Sequence, residues 1–117
     1  MKLNHINLTV PDVRETAAFF EKYFGFGLVA EVRERSLLIL SGENGFILAL
    51  NKGGNPEDIT YPSRFHVGFI RNTLSEIDEI IVALRNDGLE IEAPQRRHDR
   101  WNTYFRAPGG IQIEIST

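Results

Sequence analysis

Apolar and polar residues alternate from Leu3 to Val10. Ile6, Leu8 and Val10 share one face, and Leu3, His5, Asn7 and Thr9 share the other, as side chains do along a strand. Pro11 stops this pattern. Asp12 then reads as an N-cap, with Glu15 three residues on completing a capping-box pattern. The spacing predicts a helix over 13–24, with Val13, Ala17, Phe20 and Phe24 on one stripe and Gly25 just past its end. Apolar segments at 28–32 and 37–40, a turn at 41–45 and a strand at 46–50 complete a β-α-β-β-β unit.

The same order then recurs. Residues 51–63 have the Gly, Pro and Asn content of a connection. Beyond them, Phe65, Val67 and Phe69 oppose Arg64, His66, Gly68 and Ile70 across a strand. Thr73 or Ser75 caps a helix expected over 76–86, whose buried stripe is Ile77, Ile80, Ile81 and Leu84 and which Gly88 ends. A short strand is expected at 89–91, a polar loop at 94–102, and strands at 103–106 and 111–115. In the last of these, Ile111, Ile113 and Ile115 oppose Gln112 and Glu114.

Aligning the two copies sets His5 against His66, 61 positions apart, and Ala49 against Glu114, 65 apart. The chain therefore reads as one domain, with a module at 1–51, a linker at 52–63 and a module at 64–117. A duplicated unit of this kind has four equivalent positions, occupied here by His5, Ala49, His66 and Glu114.

Composition narrows what those positions do. The 117 residues suffice for one real core but not for two independent domains. The net charge of −3 gives no support to a nucleic-acid surface. Without cysteine there is no disulfide, thiolate metal site or cysteine nucleophile. The chain opens directly on a strand pattern and has no apolar run of membrane-spanning length, so a cytoplasmic protein without membrane partners is expected.

A lone strand histidine is ordinarily a hydrogen-bonded structural residue, and a lone glutamate a solvated one. Here His5, His66 and Glu114 agree both in face and in repeat register, each opposite the large apolar residues of its strand. Two imidazoles and a carboxylate suit a divalent Fe, Mn, Zn, Ni or Co ion, with positions left for water and substrate. Strand parity and position add Asn7, Thr9, Trp101, Tyr104 and Gln112 as candidate substrate contacts, with Trp101 and Tyr104 serving equally well as core or dimer contacts. Arg96, Arg97 and Arg100 read either as a solvated loop that offsets nearby acids or as positive charge for an anionic substrate. No residue is assigned as general base; Glu43 reads as an ordinary turn residue.

The opening LNHINLTVPDVRETAAFFEKYFGF, the middle SRFHVGF and the ending YFRAPGGIQIEI resemble the vicinal oxygen chelate superfamily over essentially the whole chain. That group includes glyoxalases, extradiol dioxygenases, fosfomycin-resistance enzymes and bleomycin-binding proteins. The resemblance implies an α+β fold in which two βαβββ modules form a cupped, mixed eight-stranded sheet with helices outside. It also implies a metal held at His5, His66 and Glu114. Ala49 occupies the fourth position, where glyoxalase I-like members carry a carboxylate or its equivalent; a methyl group neither ligates nor shuttles a proton. The expectation is a metal-dependent dioxygenase, lyase or transferase acting on a small oxygenated substrate, rather than an ordinary glyoxalase I. The alternative is a non-catalytic protein that sequesters a small antibiotic-type molecule in the same cavity. Either would be a homodimer, its sites drawn from one chain or from two.

Overall fold

A computed structural model describes residues 1–117 as two compact units, Met1–Thr60 and Tyr61–Thr117. Each is a βαβββ unit with its own four-stranded mixed sheet, so the fold is α+β. No helix is long and apolar enough to cross a membrane.

The first unit runs β1 (His5–Val10), α1 (Val13–Phe24), β2 (Gly27–Val32), β3 (Leu37–Ser41) and β4 (Ile47–Lys52), with sheet order β1-β4-β3-β2. Strand β1 lies parallel to β4, and the other neighbours are antiparallel. Register sorts the residues into rows across the sheet. Leu8, Leu50 and Leu38 form one row and Ile6, Leu48 and Leu40 the next. All of these leucines are buried, on the face opposite His5. Helix α1 packs against β2, β3 and β4 and buries Val13, Ala17, Phe20 and Phe24, the expected stripe. Asp12 caps it by accepting from the backbone N–H groups of Arg14 and Glu15, and Gly25 ends it at φ 68°. Strand β2 is exposed along its length, bulged near Val29, and crossed by the Arg14–Glu31 ion pair at 2.6 Å. A bulge and charges are common protection for a free sheet edge.

The second unit runs β5 (His66–Ile70), α2 (Leu74–Asn86), β6 (Gln95–Arg97), β7 (Arg100–Arg106) and β8 (Gln112–Ser116), ordered β5-β8-β7-β6. Its apolar rows are Val67–Ile113–Phe105 and Phe69–Ile115–Thr103. Ile77, Ile81 and Leu84 of α2 are buried. The full reciprocal capping box forms here, between Thr73 and Glu76.

The expected strand at 89–91 does not form. Both nitrogens of the Arg85 guanidinium fork take the Ile91 carbonyl, and Thr103 Oγ1 donates to the Glu92 carbonyl at 2.9 Å. Side chains thus satisfy backbone groups that a sheet ladder would otherwise engage. The fourth strand is instead Gln95–Arg97, inside the expected polar loop. It belongs to a hairpin closed by Arg97 and Arg100, with His98 and Asp99 at φ 49° and 62°. Two left-handed residues in a two-residue loop are the signature of the type I′ turn, which favours glycine second. Asp99→Gly should therefore stabilise the protein by about 0.5–1 kcal/mol, read as a higher thermal midpoint. The lost Asp99–Arg96 contact, 3.4 Å long with Asp99 almost wholly exposed, offsets little of this.

Candidate functional site

Register confirms the repeat alignment at the level of rows. In the first unit His5 stands beside Ile47, and Asn7 beside Ala49 and then Ile39. In the second, His66 stands beside Gln112, and Gly68 beside Glu114 and then Tyr104. Ala49 and Glu114 are thus equivalent sheet positions, two residues beyond the histidine row on the same face. Position for position, the first unit carries Ile47, Ala49 and Ile39 where the second carries Gln112, Glu114 and Tyr104.

Polar chemistry is accordingly concentrated in the second unit. His66 Nε2 lies 3.2 Å from Glu114 Oε2, with side-chain exposures of 41% and 20%. The other imidazole nitrogen is already engaged: Nδ1–H donates to the Arg64 carbonyl at 2.9 Å. That bond fixes the orientation of the ring and leaves Nε2 facing a carboxylate. A divalent cation seated between Nε2 and the carboxylate would be ligated by both. Glu114 is held in turn by Asn102 Nδ2, 3.4 Å from Oε1, and by the Tyr104 hydroxyl. Burial, then the hydrogen bond and charge of Glu114, raise the Tyr104 pKa above the ordinary phenol value, with Arg97 opposing. Tyr104 consequently stays a protonated donor to the carboxylate. Its ring also meets the His66 ring edge-on, with centroids 5.8 Å apart.

His5 repeats the histidine arrangement in the first unit. Its Nδ1–H donates to Asn4 Oδ1 at 2.7 Å, again leaving Nε2 for another partner. Asn7 and Thr9 share its face, and Asn7 Oδ1 accepts from Asn51 Nδ2. Asn4, Asn51 and Asn102 were not singled out in the sequence. Asn51 and Asn102 occupy site-face positions because β4 and β7 extend past the strands expected at 46–50 and 103–106; once those ends are known, alternation assigns both.

The structure brings His66, Glu114, Tyr104, Gln112 and Arg97 together on one face of the second sheet. Trp101 and Arg96 pair with each other on the opposite face, which Thr103 and Phe105 share. No group of three or more His, Asp or Glu donors is gathered in the structure; the second unit offers the His66–Glu114 pair. The donor chemistry of that pair fits a divalent cation of borderline softness.

The sequence model of the Glyoxalase/Bleomycin resistance protein/Dioxygenase superfamily matches residues 2–115. A structure described as a possible glyoxalase from Bacillus cereus is 38% identical, covers 100% of this chain and 99% of its own, and superposes with a TM-score of 0.89. An uncharacterized protein of Pseudomonas aeruginosa is 26% identical over 97% of this chain and 86% of its own length. At the level of fold alone, a mutant of the fosfomycin resistance protein FosX from Listeria monocytogenes, complexed with Mn(II) and a dihydroxypropylphosphonic acid, is similar with a TM-score of 0.80. That similarity comes with 19% identity and covers 97% of this chain and 90% of that one.

Proposed function

This chain belongs to the Glyoxalase/Bleomycin resistance protein/Dioxygenase superfamily, and from that premise we propose that it is a divalent-metal-dependent enzyme acting on a small oxygenated organic substrate. His5, His66 and Glu114 are the proposed ligands. The observation that carries the reading is the His66 Nε2–Glu114 Oε2 pair at 3.2 Å, with His66 Nδ1 already bonded to a backbone carbonyl. His5, its repeat equivalent, likewise has Nδ1 engaged by an oxygen, that of Asn4.

A bound divalent ion would supply Lewis-acid charge to an oxygen that becomes negative during reaction. The chain's own residues do the rest. The Arg64 carbonyl and Asn4 orient the imidazoles, while Asn102 and Tyr104 orient the carboxylate. Ala49, buried where the first unit would place a second carboxylate, supports chemistry that needs no opposed acid–base pair. The same methyl favours the second reading, a ligand-sequestering protein, because it makes that wall of the first unit apolar and unreactive.

Metal analysis after purification without chelator tests the assignment. Roughly one ion per chain is expected, removable by chelator and restored by one of Mn, Fe, Zn, Ni or Co. Stoichiometric metal persisting in a His5→Ala/His66→Ala protein would sink it. Tight ligand binding that is indifferent to chelation, with no turnover, would favour sequestration. Asn4→Ala leaves every proposed ligand in place and should weaken metal binding about 10-fold by loosening His5. Titration calorimetry reads this directly, and unchanged affinity would show that Asn4 does not orient the ring.

A further inference from the structure

The second unit carries more positive charge on its site face than the metal reading uses. A cleft of about 580 Å³ is lined by Ser63, Arg64, His66, Arg97, Tyr104 and Gln112, with the Glu114 carboxylate behind His66 and Tyr104. Three arginines elsewhere are matched with acids, Arg14 and Arg35 with Glu31 and Arg96 with Asp99, while Arg85 and Arg106 are held by backbone carbonyls. Arg97 instead bonds a neutral neighbour, Gln95 Oε1, at 2.8 Å. Arg64 enters no ion pair; its backbone carbonyl is the group that holds His66.

Register makes this less ordinary than two exposed arginines. Arg97 stands directly opposite Arg100 across the hairpin, on the face shared by Tyr104 and Glu114. Like charges directly opposite in an antiparallel pair destabilise it. This pair closes a tight turn built from two left-handed, non-glycine residues. A local rule is therefore broken twice at one hairpin, at the edge of the candidate site. Such conflicts concentrate where function maintains them. A bound oxyanion relieves the repulsion, and a guanidinium fork matches a carboxylate or phosphoryl group through two parallel hydrogen bonds.

We propose that Arg97, supported by Arg64, anchors an oxyanion group of the substrate, which makes the substrate class a small anionic, oxygenated compound. The assignment of that anion to a substrate rests on the metal-enzyme reading; the anion site itself rests on the cleft and on two arginines that no acid pairs.

The test uses the full chain, treated with chelator, so that metal plays no part in the readout. Inorganic phosphate and, separately, acetate are titrated while the arginine Nε–H resonances are followed. A saturable shift is expected for at least one anion, with a dissociation constant on the order of 1 mM. Saturation by phosphate alone points to a phosphoryl substrate, and by acetate alone to a carboxylate. Arg97→Gln should weaken that binding about 10-fold or more, while Arg33→Gln, in the other unit, should leave it unchanged. Absence of saturable binding, or equal affinity in the Arg97→Gln protein with an unaltered melting curve, would overturn the proposal. Either result leaves the metal analysis unaffected. Equally, a failed metal analysis leaves this titration to stand or fall by itself.

Discussion

Glu114→Ala protein purified without chelator should carry little or no divalent metal, and its affinity for added metal should fall by more than about 100-fold. Orienting partners alone contribute roughly 10–100-fold to metal affinity, and the loss of a direct ligand exceeds that range. The same substitution removes the acceptor that Tyr104 and Asn102 share. In metal-free protein the Tyr104 phenol should then titrate lower than in the wild type, because the hydrogen bond and charge of Glu114 are two of the causes that raise it. Burial, the largest cause, remains, so the pKa falls only part of the way. Phenolate absorbance reads this. Glu114→Gln tests charge against shape: it retains an oxygen acceptor but not the anion. Metal binding in the Gln variant equal to wild type would remove Glu114 from the ligand set. Because Glu114 is partly exposed and lies opposite the apolar rows, neither variant should shift the melting midpoint by more than a few degrees.

Phe20→Ala should cost about 3–5 kcal/mol of stability. The ring is wholly buried and lies within 5.6–6.0 Å, centroid to centroid, of the Phe19, Phe24 and Phe26 rings. Deleting it removes the largest fully buried side chain of the first unit, and the three surrounding rings are too bulky to collapse fully into the void. Against a total of about 5–15 kcal/mol, this brings the fold near its limit. Chemical denaturation should show a lower midpoint at an unchanged slope. A loss below about 1 kcal/mol would mean that the first unit repacks around the cavity, contrary to the close packing seen.

How much of this was legible beforehand differs from element to element. Helix α1 was placed at its observed ends because a cap, a stripe and a glycine all act within a few residues of one another. The faces of β1, β5 and β8 were legible for the same reason: alternation is a local property of each strand. The row equivalence of Ala49 and Glu114 was legible because the chain repeats itself. Strand β6 was not. Gln-Arg-Arg has no apolar residue to signal a strand, and it pairs only because the His98–Asp99 turn folds it back on β7. The apolar Leu89–Ile91 segment misled in the opposite direction. What settles it is the capture of the Ile91 carbonyl by Arg85, a contact between a helix and the segment after it.

Trp101 and Tyr104 make the same division inside the site. Both are large aromatics of one strand three residues apart, and composition treats them alike. Parity assigns them to opposite faces once the strand is known to run from Arg100, and only Tyr104 reaches Glu114.

The sequence by itself determined the two βαβββ units, the apolar face of each sheet, and the placing of His5, His66 and Glu114 away from that face. These follow from short-range periodicity and one internal duplication. Tertiary structure decided which side chains meet: the His66–Glu114 contact, the oxygens that hold each Nδ1, the Asn102 and Tyr104 bonds to the carboxylate, and the opposed Arg97–Arg100 pair. Those contacts depend on register between strands and on side-chain direction. A one-residue slip would expose a strand's apolar side chains and is excluded by the pattern. A two-residue slip keeps every face and changes every partner, and no local pattern records which of these the folded sheet adopts.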